Sequence, residues 1–234
     1  MALDAGQHNL KVIYDRLDEC LIQCWIVKIM TEEKIFIKNG PLVIESLLHK
    51  ANADKAVVIC HPHSQMGGSM YNNVVETLQE AFASENVTTL RFNFRGVGAS
   101  TGFYDEGNGE QQDIIAVCEY LKEQGFSELV FAGYSFGSWV GSKIIEIEVA
   151  PFSFIIFVAP PVNYFDFQWN DLKDKIDLII CGDSDQFCSL NILKREAAKI
   201  NAPLEIIRGA DHFYMGKERE LAKILKQHTL NKTQ

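Results

Sequence analysis

The sequence has few basic residues for its size. Its 22 lysines and arginines are outnumbered by 31 aspartates and glutamates, which gives a formal net charge of −9, and the basic residues are scattered along the chain. A protein that neutralises nucleic-acid phosphates needs a concentrated basic face. We therefore expect no nucleic-acid partner, and the acidic balance is typical of a cytoplasmic protein.

The sequence also lacks a long uninterrupted apolar run. Its first residues, MALDAGQHNLK, contain no basic stretch followed by an apolar core, and the apolar segment LIQCWIVKIM is interrupted by Gln23 and Lys28. A membrane-spanning helix needs about 20 predominantly apolar residues in succession. These patterns predict neither a signal peptide nor a membrane span.

Paired cysteine motifs are absent, although the chain has six cysteines. Cys60, Cys118 and Cys181 lie within apolar segments, and Cys20 and Cys24 have no second ligand pair that would complete a zinc site. Free thiols in a reducing compartment are the interpretation that fits this pattern, in agreement with a cytoplasmic location.

The order of apolar segments from about residue 34 onward is typical of an α/β protein. Short β-branched runs alternate with longer segments in which apolar residues recur every three or four positions, which predicts βαβ units and a mostly parallel sheet. The predicted strands are Ile35-Ile37, Leu42-Leu48, Ala56-Cys60, Thr88-Phe94, Leu129-Tyr134, Phe154-Val158, Leu178-Cys181 and Leu204-Ile207. The predicted helices are Asn73-Ala83, Glu110-Gln124, Ser138-Ile147, Leu190-Ile200 and Lys217-Gln227.

Residues 1–30 stand apart from this alternation. They place several apolar residues on one helical face, namely Leu10, Ile13, Leu17, Leu21 and Trp25. This pattern indicates either a docking helix or the arm of a homodimer. In the alternative interpretation the natural chain starts at Met30 and the segment is a gene-start artefact. In both cases we predict that the main domain covers residues 31–230.

The segment VFAGYSFGSWVG places Ser135 between two glycines, directly after a run of strand-forming residues. In a G-x-S-x-G turn from a strand into a helix, the glycines allow neighbouring backbone segments to approach closely while the serine hydroxyl projects outward. Ser135 is therefore a candidate nucleophile. A serine of this kind needs a histidine to accept its proton and an acid to orient that histidine.

Later segments supply both partners. LIICGDSDQF places Asp183 and Asp185 directly after the seventh predicted strand, and IIRGADHFY places His212 directly after the eighth. The carboxyl ends of parallel strands meet at one edge of a sheet, so these side chains are expected near Ser135. One aspartate is expected to cap a turn, and we predict that Asp185 is the acid.

Two other motifs suggest different chemistry. His61-x-His63 would begin a metal site, but acids do not follow it and no further cluster of histidines appears. RGVGAST resembles a dinucleotide fingerprint, but Thr101 stands where the third glycine or alanine should be. We therefore predict no metal and no cofactor, and we expect Arg95 to pin its own loop.

The sequence contains five linked segments, namely CHPHSQMGGSMYNN, LRFNFRGVGASTGFYDEGNGEQQD, GYSFGS, GDSDQF and GADHF. Together they resemble the α/β-hydrolase superfamily, and more narrowly its small bacterial serine hydrolases of unassigned substrate, similar to dienelactone hydrolases and serine aminopeptidases, and the resemblance covers about Ile35 to Leu225. It implies an α/β-hydrolase fold, with an eight-stranded mostly parallel sheet flanked by helices on both faces and a minimal cap or none.

The resemblance also implies an oxyanion hole made of backbone N–H groups. In such hydrolases a His-Gly or His-Pro turn after the third strand gives one donor, but here Pro62 has no N–H. His63 is therefore the expected donor, and Ser64 is the second candidate. Relatives carry a second proline at the position of Ser64. Phe136 is expected to give the other N–H.

This machinery predicts acyl transfer to water on a small ester or thioester, without a cofactor. A serine peptidase acting on short peptides is an alternative, and its anchor for a charged terminus would come from Glu110, Asp113 or Arg95. A non-catalytic binding module with the same fold is a second alternative, although such a module has no need of all three catalytic residues.

The connection between the sixth and seventh predicted strands is short. Only about fifteen residues, Pro160 to Asp174, form it, too few for a cap domain, so we expect an open site that prefers acyl chains of about two to six carbons. The candidate pocket residues are His61, Ser64, Tyr134, Tyr164 and Phe165. Phe167 and Trp169 either extend an aromatic rim or pack on the core.

Overall fold

A computed structural model describes residues 32–51, 54–147 and 152–230. The N-terminal segment 1–30, interpreted above as a docking helix, a dimer arm or an artefact, lies outside the described residues. The domain boundary predicted beside it also lies outside them.

The described chain forms a sheet of eight strands. In chain order they are β1 (Glu33–Asn39), β2 (Leu42–His49), β3 (Lys55–Cys60), β4 (Thr88–Phe92), β5 (Glu128–Tyr134), β6 (Phe152–Val158), β7 (Leu178–Gly182) and β8 (Leu204–Ile207). Their order across the sheet is β1-β2-β4-β3-β5-β6-β7-β8. β2 pairs antiparallel with β1 and β4, and all other pairs are parallel. The predicted mostly parallel sheet is confirmed.

Helices cover both faces of this sheet. They are α1 (Asn73–Ser84), α2 (Asn108–Glu123), α3 (Phe136–Glu146), α4 (Leu190–Lys199) and α5 (Glu218–Leu230). Side chains alternate along each strand. Phe131 of β5 belongs to the core cluster that includes residues of α2, α3 and α4, while Val130 belongs to the cluster that includes residues of α1 and α5. Within the described ranges, none of the helices has both the length and the apolar character needed to cross a bilayer.

The fourth strand is shorter than the sequence suggested. It was expected to reach Phe94 but ends at Phe92, because the N–H of Phe94 donates to Nε2 of His61 (3.0 Å) rather than to a strand carbonyl. This bond ties the chain leaving β4 to the chain leaving β3, at the carboxyl edge of the sheet where the candidate site lies.

The connection between β6 and β7 contains no cap domain. Among its described residues the only helical element is a short 3₁₀ helix, Trp169–Leu172. The rings of Phe167 and Trp169 stack at 4.8 Å between centroids, and their side chains are 4% and 9% exposed. These two residues pack on the core and do not extend an aromatic rim.

Candidate active site

Ser135 lies in a strained turn between β5 and α3. Its φ of 53° and ψ of −118° are rarely adopted by a residue with a side chain, and such strain persists only where the surroundings enforce it. The flanking glycines allow the close approach: a Cβ on Gly133 would lie 2.6 Å from Cα of Ser138, and a Cβ on Gly137 would lie 2.6 Å from the carbonyl of Cys60. The turn therefore presents the hydroxyl at the edge of the sheet.

His212 follows β8 and reaches the serine. Its Nε2 lies 2.9 Å from Oγ of Ser135, and the residue is 5% exposed. The hydroxyl of Tyr134 donates to the backbone carbonyl of His212 (2.9 Å), so the residue beside the nucleophile also holds the histidine's backbone. Burial raises the pKa of Tyr134, which keeps its hydroxyl protonated as the donor.

Asp185 follows β7 and completes a hydrogen-bonded chain. Its Oδ2 lies 2.8 Å from Nδ1 of His212, while Oδ1 accepts the N–H groups of Phe187 (2.8 Å) and Cys188 (3.1 Å). A carboxylate beside Nδ1 favours the tautomer that carries its proton there, which leaves Nε2 free to accept the hydroxyl proton of Ser135.

Asp183 lies in the same turn but points elsewhere. Its side chain is exposed, and its Oδ1 accepts the N–H of Gly209 (2.7 Å). It therefore joins the turn after β7 to the turn after β8. Of the two aspartates that follow β7, only Asp185 contacts His212.

His61 holds the turn after β3 from within the core. Its Nδ1–H donates to the carbonyl of Pro62 (2.6 Å), and its Nε2 accepts the N–H of Phe94. Complete burial lowers the pKa of His61 to about 4, so the ring is neutral at pH 7. Both ring nitrogens are engaged by backbone. His61 therefore does not line the pocket, contrary to the prediction, and offers no nitrogen to a metal.

His63 lies against the candidate pocket. Its Nδ1 accepts the N–H of Gln65 (3.2 Å), its Nε2 lies 3.2 Å from the hydroxyl of Tyr104, and its ring centroid is 4.7 Å from that of Phe136. Burial lowers the pKa of His63. Ser64, the other candidate in this turn, does not line the pocket, and its hydroxyl has no hydrogen-bond partner among the described residues.

Phe136 begins α3 directly after the serine. The first N–H groups of a helix have no acceptor within it. Within the described part of the chain, no backbone carbonyl accepts the N–H of Phe136. This donor is therefore available to an oxygen bound beside Ser135.

A cavity of about 400 Å³ opens over Ser135 and His212. Its other lining residues are Pro62, His63, Met66, Gly67, Gly68, Asn72, Tyr134, Pro161, Tyr164, Phe165, Phe187 and Phe213. Tyr134, Tyr164 and Phe165 thus lie where the sequence placed them. Sequence reasoning missed Phe187 and Phe213, although each lies within two residues of Asp185 or His212.

The charged residues after β4 are engaged with one another. Arg95 pairs with Asp113 (2.8 Å), whose side chain is fully buried. Glu110 accepts the N–H groups of Asp105 (3.0 Å) and Gly107 (2.9 Å) at the start of α2. Arg95 therefore pins its own loop, as expected. None of the three residues suggested as a peptide anchor lines the cavity.

Comparison with known proteins relates this architecture to solved hydrolases. No protein-family model matches the chain. The protein RP471 of Rickettsia prowazekii (strain Madrid E) is 31% identical over 208 residues, which cover 82% of this chain and 87% of RP471. An α/β serine hydrolase homologue from Coxiella burnetii is 33% identical with a TM-score of 0.77, covering 85% of this chain and 97% of its own.

A solved structure of a hydrolase without a lid is also similar to this chain. XC6422 from Xanthomonas campestris, described as an α/β serine hydrolase without a lid, is 28% identical with a TM-score of 0.76, covering 86% of this chain and 95% of its own. The absence of a cap among the described residues agrees with the likeness to a hydrolase without a lid. The chain belongs to the α/β-hydrolase superfamily, among its serine hydrolase homologues.

Proposed function

We propose that the protein hydrolyses small esters or thioesters by acyl transfer through Ser135, His212 and Asp185. The observation that carries this proposal is the hydrogen-bonded chain from Asp185 to His212 (2.8 Å) and from His212 to Ser135 (2.9 Å). This chain opens into the cavity, where an acyl group can reach the serine hydroxyl.

In the proposed reaction Oγ of Ser135 attacks the carbonyl carbon while Nε2 of His212 takes the hydroxyl proton. The tetrahedral intermediate then expels the alcohol or thiol, which receives that proton from His212. Water, deprotonated by His212, then attacks the acyl-enzyme, and His212 returns the proton to Oγ of Ser135 as the acid is released. Asp185 holds the imidazole and stabilises its charged form throughout.

Two backbone N–H groups are proposed to stabilise the oxyanion. The N–H of Phe136 lies at the start of α3 without a backbone acceptor among the described residues. The second donor is His63. Because His61 fixes the carbonyl of Pro62, the N–H on the opposite side of this trans peptide points away from His61. Such donors stabilise charge that develops only in the transition state.

A peptidase acting on charged peptide termini has less support from the site. Arg95 and Asp113 bind each other, and Glu110 binds backbone at the start of α2. No residue among those lining the cavity replaces them as an anchor for a charged terminus.

The proposal is tested by labelling with a fluorophosphonate, which reacts with activated serines. We expect mass spectrometry to find the adduct on Ser135, and we expect Ser135→Ala to abolish both labelling and hydrolysis of p-nitrophenyl acetate. Ser184→Ala, which alters an exposed serine next to Asp183, serves as the matched control and should keep both. A folded native protein that is neither labelled nor hydrolytic would refute the proposal.

A further inference from the structure

The cavity over Ser135 offers no charged partner to a substrate. Among the described residues that line it, none is aspartate, glutamate, lysine or arginine. Its two histidines are His212, which is bound to Asp185, and His63, whose pKa is lowered by burial. A carboxylate or ammonium group would therefore lose its hydration in the cavity without gaining an opposite charge.

One wall of the cavity is made of rings that are fixed from behind. Phe165 lies 6.1 Å from His63, measured between ring centroids, and both rings line the cavity. Phe165 is held by Trp139 at 4.6 Å and by Phe136 at 5.7 Å. This wall therefore presents ordered aromatic surface to the cavity.

The other wall is also aromatic. Phe187 lies 4.6 Å from His212, 5.4 Å from Tyr164 and 6.3 Å from Phe213, again between centroids. Its own N–H donates to Asp185, which fixes the backbone of this wall. An aromatic ring placed between the two walls can make edge-to-face or offset contacts with both of them.

The size of the cavity agrees with a ring-bearing substrate. Its volume of about 400 Å³ lies within the range of pockets that bury small organic ligands. An acetyl group alone would leave most of the aromatic surface without a contact. A phenyl ring joined to the ester by a short linker would cover it.

We propose that this cavity selects uncharged esters or thioesters whose acyl group carries an aromatic ring. This inference rests on the proposed function, because it takes Ser135 as the nucleophile. The aromatic walls provide the preference for the ring, and the absence of a charged lining residue provides the discrimination against anionic acyl groups.

Four methyl esters test both parts of the proposal. For the ring, kcat/KM for methyl 3-phenylpropanoate should exceed that for methyl 3-cyclohexylpropanoate by about three- to tenfold, since ring pairs add to simple burial. For the charge, kcat/KM for the para-carboxylate derivative of methyl 3-phenylpropanoate should be at least about 30-fold lower than kcat/KM for the para-carboxamide derivative, which has nearly the same shape.

Variants connect these preferences to particular side chains. Phe165→Leu removes the ring of one wall while Phe187 keeps the other, and should lower the phenylpropanoate-to-cyclohexylpropanoate ratio of kcat/KM without abolishing it. Met66 lines the cavity but is 72% exposed, so a lysine there stays hydrated in the free enzyme. Met66→Lys should improve kcat/KM for the para-carboxylate about fivefold relative to the uncharged control Met66→Gln.

The outcomes separate this inference from the proposed function. Equal kcat/KM values for the phenylpropanoate and the cyclohexylpropanoate, or for the para-carboxylate and the para-carboxamide, would overturn the inference. The inference would also be overturned if the enzyme cleaved none of the four methyl esters but still hydrolysed p-nitrophenyl acetate through Ser135. In that case the proposed function would stand. If Ser135 is neither labelled nor needed for any hydrolysis, both fall.

Discussion

Two glycine-containing turns at the same edge of the sheet differ in how they use their polar groups. RGVGAST follows β4, whereas GYSFG spans the end of β5 and the start of α3, and β3 lies between these two strands in the sheet. In the first turn, the buried carboxylate of Asp113 binds Arg95 at 2.8 Å. The carboxylate of Glu45 accepts hydrogen bonds from the side-chain amide of Asn93 and from the backbone N–H of Ala99, each at 2.7 Å. These groups bind one another rather than facing the cavity.

The turn after β5 keeps hydrogen-bonding capacity toward the cavity. Oγ of Ser135 and the ring of His212 line it, and the N–H of Phe136 has no backbone acceptor among the described residues. Both turns contain glycines, and charged or polar side chains are buried beside both. Burial of polar groups therefore does not by itself identify a catalytic site. The useful criterion is whether such groups face a space that a substrate can enter.

The largest expected effect separates the two aspartates that follow β7. Asp185→Asn should lower kcat for ester hydrolysis by about 10⁴-fold, because an amide beside Nδ1 of His212 favours the wrong tautomer, as the equivalent substitution does in serine proteases. Asp183→Asn should change kcat by less than about tenfold, since this side chain binds only the neighbouring turns.

Steady-state kinetics on p-nitrophenyl acetate, with circular dichroism to confirm folding, measures both variants. A large loss of kcat in Asp183→Asn together with normal turnover in Asp185→Asn would reverse the assignment of the acid.

The second prediction concerns the turn after β4. Asp113→Ala leaves Arg95 without its buried partner, so the free energy of unfolding should fall by about 3–5 kcal/mol. Where the variant remains folded, Ser135 should still react with a fluorophosphonate, since Asp113 does not line the cavity.

Urea denaturation measures the loss, and Glu123→Ala, an exposed carboxylate at the end of α2, is the matched control. If Asp113→Ala kept full stability but lost labelling, the turn after β4 would belong to the catalytic machinery and the contrast between the two turns would fail.

The third prediction uses His61, which links the chain after β3 to the chain after β4. Its pKa is about 4 in the folded protein against 6.5 for the unfolded chain, so the unfolded chain binds the proton first as the pH falls. This contribution to stability is fully present above pH 6.5 and is lost toward pH 4. Between pH 7 and pH 4.5 it amounts to about 2.5 kcal/mol, at about 1.4 kcal/mol per pH unit.

Urea denaturation of the wild type and of His61→Gln at both pH values isolates this contribution, because the other titrating groups are common to the two proteins. The variant should be less stable at pH 7 but lose about 2.5 kcal/mol less on acidification. An identical pH dependence in both proteins would mean that His61 does not titrate in this way.

The sequence predicted those parts of the molecule that local patterns determine. The period of the apolar residues located all eight strands, and the order of Ser135, Asp185 and His212 after three strands anticipated which side chains meet. The predicted end of β4 was wrong, because the true end depends on a hydrogen bond between Phe94 and His61. These residues are 33 positions apart, so no local pattern reveals the bond.

The lining of the cavity was only partly predictable. His61 and Ser64 were expected there, but the ring of His61 binds backbone on both sides and neither residue lines the cavity. Phe187 and Phe213 were missed because the path of a loop decides which of its side chains faces the cavity. Their positions next to Asp185 and His212 were the available signal.

The smallest expected effect concerns acyl chain length and follows from the openness of the cavity over Ser135. Among the described residues between β6 and β7, the only helical element is Trp169–Leu172, so no cap domain encloses a long chain. Met66 and Tyr164 at the cavity are 72% and 66% exposed. A buried methylene contributes about 0.8 kcal/mol, or roughly fourfold in kcat/KM, whereas a methylene left in water contributes little.

We therefore expect kcat/KM for p-nitrophenyl esters of linear acids to peak at about two to six carbons and to change less than about twofold per added methylene beyond that. The series from acetate to palmitate, kept below micelle-forming concentrations, measures this. The same series on Phe165→Leu tests the wall, since a loss confined to chains long enough to reach it would place the acyl group there. A steady fourfold rise per methylene through the long chains would require an enclosed acyl tunnel, and the site over Ser135 would then not be open.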